Sequence, residues 1–106
     1  MIEIEPSSGN VYADLGIPDA EEMLVKAKLA AKIGEILESR GWSQQHAGQI
    51  LGIPQPKLSK MLRGQFRGIS EAKMIECLTR LGRDIQIVIR EECGAGSVGR
   101  VEVVSG

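Results

Sequence analysis

No stretch of this chain stays apolar for anything near the roughly eighteen residues a membrane-spanning helix needs. With 42% hydrophobic residues overall, a soluble protein is expected. Cysteine is scarce: Cys77 and Cys93 have no CxxC partner and no nearby histidine, which argues against both a disulfide framework and a metal site. His46, the single histidine, has no Cys, Asp or Glu at ligand spacing and reads as solvated or phosphate-facing. Also missing are a nucleophile–base pair and a phosphate-cradling glycine loop, so neither an enzyme nor a cofactor is expected. The opening residues, MIEIEPSSGN, are acidic and lack the apolar core of a signal peptide. A cytoplasmic protein with reduced thiols follows.

What is present is a charge pattern hidden by a net value of -1. Residues 1–25 hold six acids and no base, giving -6, whereas residues 26–90 hold twelve bases and five acids, giving +7. The last sixteen residues hold three acids and Arg100, giving -2. A basic middle between acidic ends suits phosphate contact in the middle and a different partner at one end, or acidic ends that serve only solubility. At 106 residues the chain is read as one domain with tails: an acidic, weakly ordered arm over 1–18, a folded unit over 19–90 and a flexible tail over 91–106.

The centre of the folded unit is Trp42 to Gly64, WSQQHAGQILGIPQPKLSKMLRG. Ser43 is a good N-cap, and Ala47, Ile50 and Leu51 follow at helical spacing. Gly52 stops that helix, and Ile53 drops into the core. A second helix starts near Pro54, with Pro54 and Pro56 in its first turn, where a missing N–H is tolerated. Leu58, Met61 and Leu62 supply its apolar face and Gly64 ends it. Two short helices joined by a tight turn are the pattern of a helix-turn-helix, whose second helix enters the DNA major groove. Gly48 supplies the small residue such a crossing needs.

Around this unit, Asp19 caps a long helix running to about Arg40 with Gly41 as its stop, and Glu22 completes a capping box. Its apolar residues form two seams, one through Met23, Ala27, Ala30, Gly34 and Leu37, the other through Leu29, Ile33 and Ile36. That is wider than one face, so the helix lies in the core or has a second surface to bury. Lys26, Lys28 and Lys32 form its polar side and read as solvated or, second, as remote phosphate contacts. Ser70 caps a further helix over 71–81 that Gly82 ends, with Ile69 and Met74 as a hydrophobic staple and Ile75, Leu78 and Leu81 inward. Then the period changes. Ile85, Ile87 and Ile89 alternate with Gln86, Val88 and Arg90, which predicts a strand over 84–90. A lone strand needs a partner, either Val101–Val104 folded back or the same strand of a second subunit. The second is favoured, because helix-turn-helix dimers read paired half-sites, and it makes Ile85, Ile87, Val88 and Ile89 the dimerisation residues. The expected fold is thus mostly α, a helix-turn-helix bundle of four to five helices with one C-terminal strand.

Ser43-Gln44, Gly48, Leu51-Gly52-Ile53, Leu58-Ser59 and Arg63-Gly64 resemble the signature of the Xre (phage-repressor-like) helix-turn-helix family. Gly48 replaces the usual Ala, and Pro54 and Pro56 replace residues that are usually Ser or Thr. The order DLG.PD, long helix, SRGWSQ, LGIPQPKLSKMLRG, Ser-capped helix and LGRDIQIVIR is similar to the HigA-like antitoxin branch, over roughly residues 9–90. That resemblance implies a lambda-repressor-like helix-turn-helix bundle, and a homodimer that represses its own operon and neutralises a small basic toxin. A solitary regulator, or an interaction module that keeps the fold without binding DNA, are the competing readings.

Direct readout is assigned to Gln55, which can pair with adenine N6 and N7, and to Lys57 and Lys60, which can reach guanine O6 and N7 or phosphates. Ser59 beside them is read as partly packed. Gln44 before the turn, and Arg63, Gln65 and Arg67 after the second helix, are the expected backbone contacts on double-stranded DNA. Trp42 and Cys77 are read as core residues.

Overall fold

The computed structural model describes residues 20–91, 94, 96 and 98–105. The acidic arm, the Asp19 cap and Cys93 lie outside the described residues. Four helices make the fold: α1 (Ala20–Arg40), α2 (Gln44–Leu51), α3 (Gln55–Leu62) and α4 (Glu71–Arg80). Their ends follow from local chemistry. The Ser43 hydroxyl accepts from the His46 amide at the start of α2, and the Ser70 hydroxyl accepts from the Lys73 amide at the start of α4, each at 3.1 Å. All four helices end alike, with a glycine just past the end (Gly41, Gly52, Gly64, Gly82) at positive φ. The next amide then donates back to a carbonyl five residues earlier, Trp42 to Leu37, Ile53 to Gly48, Gln65 to Lys60 and Arg83 to Leu78.

α1 packs chiefly on α4, and α2 on α3, with α3 also resting on α1 and α2 on α4. Both apolar seams of α1 are used. Leu29, Ile33, Ile36 and Leu37 are buried, and they meet Leu51, Leu58, Met61, Met74, Leu78 and Leu81 in one core. Phe66 and Ile69, in the loop after α3, complete it. The staple forms as expected, with Ile69 and Met74 both buried. On α4 the inward face is Met74, Cys77 and Leu78, while Ile75 is only half-buried. Burial pushes the Cys77 thiol above its ordinary value, against the opposing pull of the Lys73 charge.

Lys26 departs from its solvated reading. It is 4% exposed, its ammonium 3.5 Å from the Phe66 carbonyl and 3.2 Å from the half-exposed Glu22 carboxylate. The long apolar stem explains this: it packs in the α1 interface while the charged head reaches a carbonyl and an acid at the rim.

The expected strand is also corrected. Residues 84–90 form no strand, and no strand occurs among the described residues. The reason is the one that made a lone strand improbable: a ladder needs a second row of backbone groups. Val101–Val104 does not supply that row, because Val103 packs against the helical core instead. Ile87 and Ile89 are left 80% and 92% exposed, and Val88 63%. Among the described residues no helix is long and apolar enough to cross a membrane.

Candidate nucleic-acid interface

The α2–α3 unit is built around a close approach. A β-carbon added at Gly48 would stand 2.7 Å from the Ile53 carbonyl oxygen and under 4 Å from the Gln55 backbone. A side chain of any size, alanine included, therefore forces the turn away from α2. Ile53 is buried beneath this crossing, and the far end of α2 is held from outside: the Arg80 guanidinium donates to the Ile50 carbonyl at 3.2 Å while pairing with Glu76 at 2.8 Å. A cation on an orphan carbonyl at a helix C-terminus complements the dipole there. So α3 is fixed against a rigid α2.

Leu58 and Met61 are fully buried, which fixes the face that α3 turns outward. At about 100° per residue, Pro56 and Lys60 stand roughly opposite Leu58 and Arg63 roughly opposite Met61. Pro56, Lys60 and Arg63 are all exposed. Gln55 and Lys57 are exposed on the two shoulders of this face: the Gln55 backbone abuts Gly48, while the Lys57 stem reaches to within about 4 Å of a β-carbon position on Gly68. Ser59 is half-buried, and Gln44, Gln65 and Arg67 are exposed around the margin. Pro56, not chosen from the sequence, thus occupies the middle of the face formed by the residues that were. A helical wheel anchored on Leu58 and Met61 is the signal that finds it.

The prolines shape what the α3 N-terminus can offer. Neither Pro54 nor Pro56 has an N–H, and the Lys57 and Leu58 amides both donate to the Pro54 carbonyl at 3.0 Å. That leaves the Gln55 amide as the donor of this first turn with no acceptor among the described residues.

Electrostatics single out the same region. From Ser39 to Ser70 there is no acidic residue, while Arg40, Lys57, Lys60, Arg63 and Arg67 all fall within it. Lys26, Lys32, Lys73 and Arg80 pair with carboxylates of α1 or α4. Lys57, Lys60, Arg63 and Arg67 pair with none among the described residues. Lys28, Arg83 and Arg90 also pair with no described carboxylate, but only residues 57–67 gather four exposed cations in one short stretch, a local positive field that an overall charge of -1 conceals. Arg40 belongs elsewhere: its guanidinium donates to the Leu81 carbonyl at 2.7 Å and lies over the Trp42 ring at 5.1 Å. Trp42 is half-buried against the core and meets His46 edge-on at 4.8 Å, so this tryptophan bridges the core and the surface of α2. No group of three metal-ligating side chains occurs among the described residues.

A family model described as a helix-turn-helix domain matches residues 11–90. A solved structure of a protein provisionally named an XRE family transcriptional regulator is 34% identical, superposes with a TM-score of 0.75, and matches over its whole length and 84% of this chain. No curated protein matches.

Proposed function

The chain belongs to the XRE family of helix-turn-helix proteins, and from that premise we propose that it is a sequence-specific DNA-binding repressor that lays α3 in the major groove. The observation that carries this reading is the outward side of α3 and its following loop, where four uncompensated cations surround Gln55 and Pro56 on a segment free of acids. Gln55 reads a base edge, adenine by its paired donor and acceptor; Lys57 and Lys60 read guanine or grip phosphate. Gln44, Arg63, Gln65 and Arg67 set register on the backbone, and Ser59 braces α3 from its half-buried position.

The test separates reading from gripping. Gln55→Ala is expected to weaken binding to duplex DNA from the region upstream of its own gene by about 1–3 kcal/mol and to relax preference at one base pair. Arg67→Ala is expected to weaken binding to all sequences alike and to lower the salt dependence by about one counter-ion. Unchanged base preference in Gln55→Ala contradicts the assigned face.

The repressor acts as a homodimer in this proposal. Support comes from Ile85, Ile87, Val88 and Ile89, an apolar run that the described residues leave exposed, least at Ile85 and most at Ile89. Pairing with the same segment of a second copy supplies the missing backbone partner and places two α3 helices for paired half-sites. The resemblance to the HigA-like branch extends the proposal to an antitoxin role in the cytoplasm. An open groove between α1 and the end of α3, floored by Ala27, Ala31, Gly34 and Leu62, supports a protein partner. A small basic protein encoded by the adjacent reading frame, co-purifying with this chain, is the expected result; an adjacent frame of another kind contradicts the antitoxin role and leaves a solitary regulator.

A further inference from the structure

We propose that Pro56 is a specificity residue that reads a thymine methyl group. The inference rests on α3 being the groove-entering helix. Pro56 is exposed, roughly 160° around α3 from the buried Leu58, flanked on one shoulder by Gln55 against Gly48 and on the other by Lys57 against Gly68. A helix presenting this face to a base-pair edge puts the pyrrolidine ring closest to the floor of the groove, ahead of the longer side chains that reach around it.

What such a ring can recognise is set by what it lacks. Proline carries no N–H, and its ring has neither donor nor acceptor. Against guanine O6 and N7, or adenine N6 and N7, it would strip water from polar atoms and return nothing, which is penalised. The one apolar group that a base presents in the major groove is the C5 methyl of thymine. The ring is also rigid, so the contact costs no side-chain rotamer freedom. Discrimination therefore runs both ways at one base pair, with thymine favoured by contact and the polar edges disfavoured by desolvation. The same two prolines that remove hydroxyls and amides from the start of α3 replace a polar readout there with an apolar one, leaving Gln55 as the polar reader beside it.

The test changes the DNA before the protein. The duplex segment protected by the wild-type protein upstream of its own gene is resynthesised with deoxyuridine at each thymine in turn, which deletes the methyl and keeps every hydrogen-bonding group. One thymine under each bound α3 is expected to show binding about fourfold weaker on this change, the worth of one buried methyl-sized group. Pro56→Ser, which at this first-turn position breaks no helix hydrogen bond, is expected to bind the thymine and uracil duplexes equally. Wild-type binding that is specific for the segment yet indifferent to uracil at every position overturns the inference and leaves the DNA-binding reading intact. So does a Pro56→Ser variant that keeps the discrimination at the same thymine. Failure of the wild-type protein to prefer its upstream segment over a scrambled duplex overturns both.

Discussion

Single residues decide how closely the two helices of the DNA-reading unit meet. At Gly48 a methyl group would stand 2.7 Å from a backbone oxygen, and the turn, not a flexible side chain, has to move. Alanine gains about 1 kcal/mol of helix propensity over glycine, but overpacking of this kind costs about 1–3 kcal/mol. Gly48→Ala is thus expected to be destabilised in urea unfolding, the opposite of the ordinary effect of this substitution in a helix. The need for a small residue at the crossing was legible from spacing alone; that alanine is already too large depends on where the Ile53 carbonyl points. Lys26 was legible from its position but not from its residue type. At about 100° per residue it falls between Ile33 and Leu37 in the middle of the apolar face of α1, and Phe66, forty residues away, meets its ammonium there. Its ion pair is with a carboxylate 50% exposed, worth little after screening, and the Phe66 carbonyl also accepts from the Ile69 amide. The stem is what matters. Lys26→Met should unfold within about 1 kcal/mol of wild type, whereas Lys26→Ala should cost about 2 kcal/mol through lost methylenes.

At the scale of elements, helix starts and stops are written locally, which is why Ser43, Ser70 and the four terminal glycines all act where the sequence placed them. The isoleucine run could not be settled the same way. Alternation states that residues 84–90 suit a strand, but a strand exists only with its partner, and the described residues provide none. The same reasoning explains Val103, which finds apolar surface on the core before it finds a ladder. α3 carries a parallel lesson: its outward residues were recoverable in kind from sequence, yet the order of prominence among Gln55, Pro56 and Lys57 required knowing which of Leu58, Met61 and Leu62 sits deepest. If the isoleucine run joins two copies, Ile87→Lys with Ile89→Lys should convert a dimer to a monomer in sedimentation while leaving the helical circular dichroism unchanged. A wild-type chain that sediments as a monomer at micromolar concentration contradicts the pairing.

For the whole molecule, charge is partitioned rather than absent. Acids gather before residue 25 and after residue 91, and the bases of α1 and α4 are largely spent on neighbouring carboxylates. Besides Lys28, Arg40, Arg83 and Arg90, the cations left without a described carboxylate lie on α3 and the loop behind it, four of them within residues 57–67, so a protein of net charge -1 still presents a cationic face. A face of this kind binds DNA by displacing condensed counter-ions, and salt dependence measures that displacement. The wild-type chain is titrated into its upstream duplex, and into a scrambled duplex of equal length, across a range of salt concentration. Affinity for both should fall linearly on logarithmic axes as salt rises, with a slope reflecting several phosphate contacts, and the upstream duplex should stay the tighter at every salt. Binding that does not respond to salt, or no binding to either duplex at low salt, would show that this cationic face does not grip DNA.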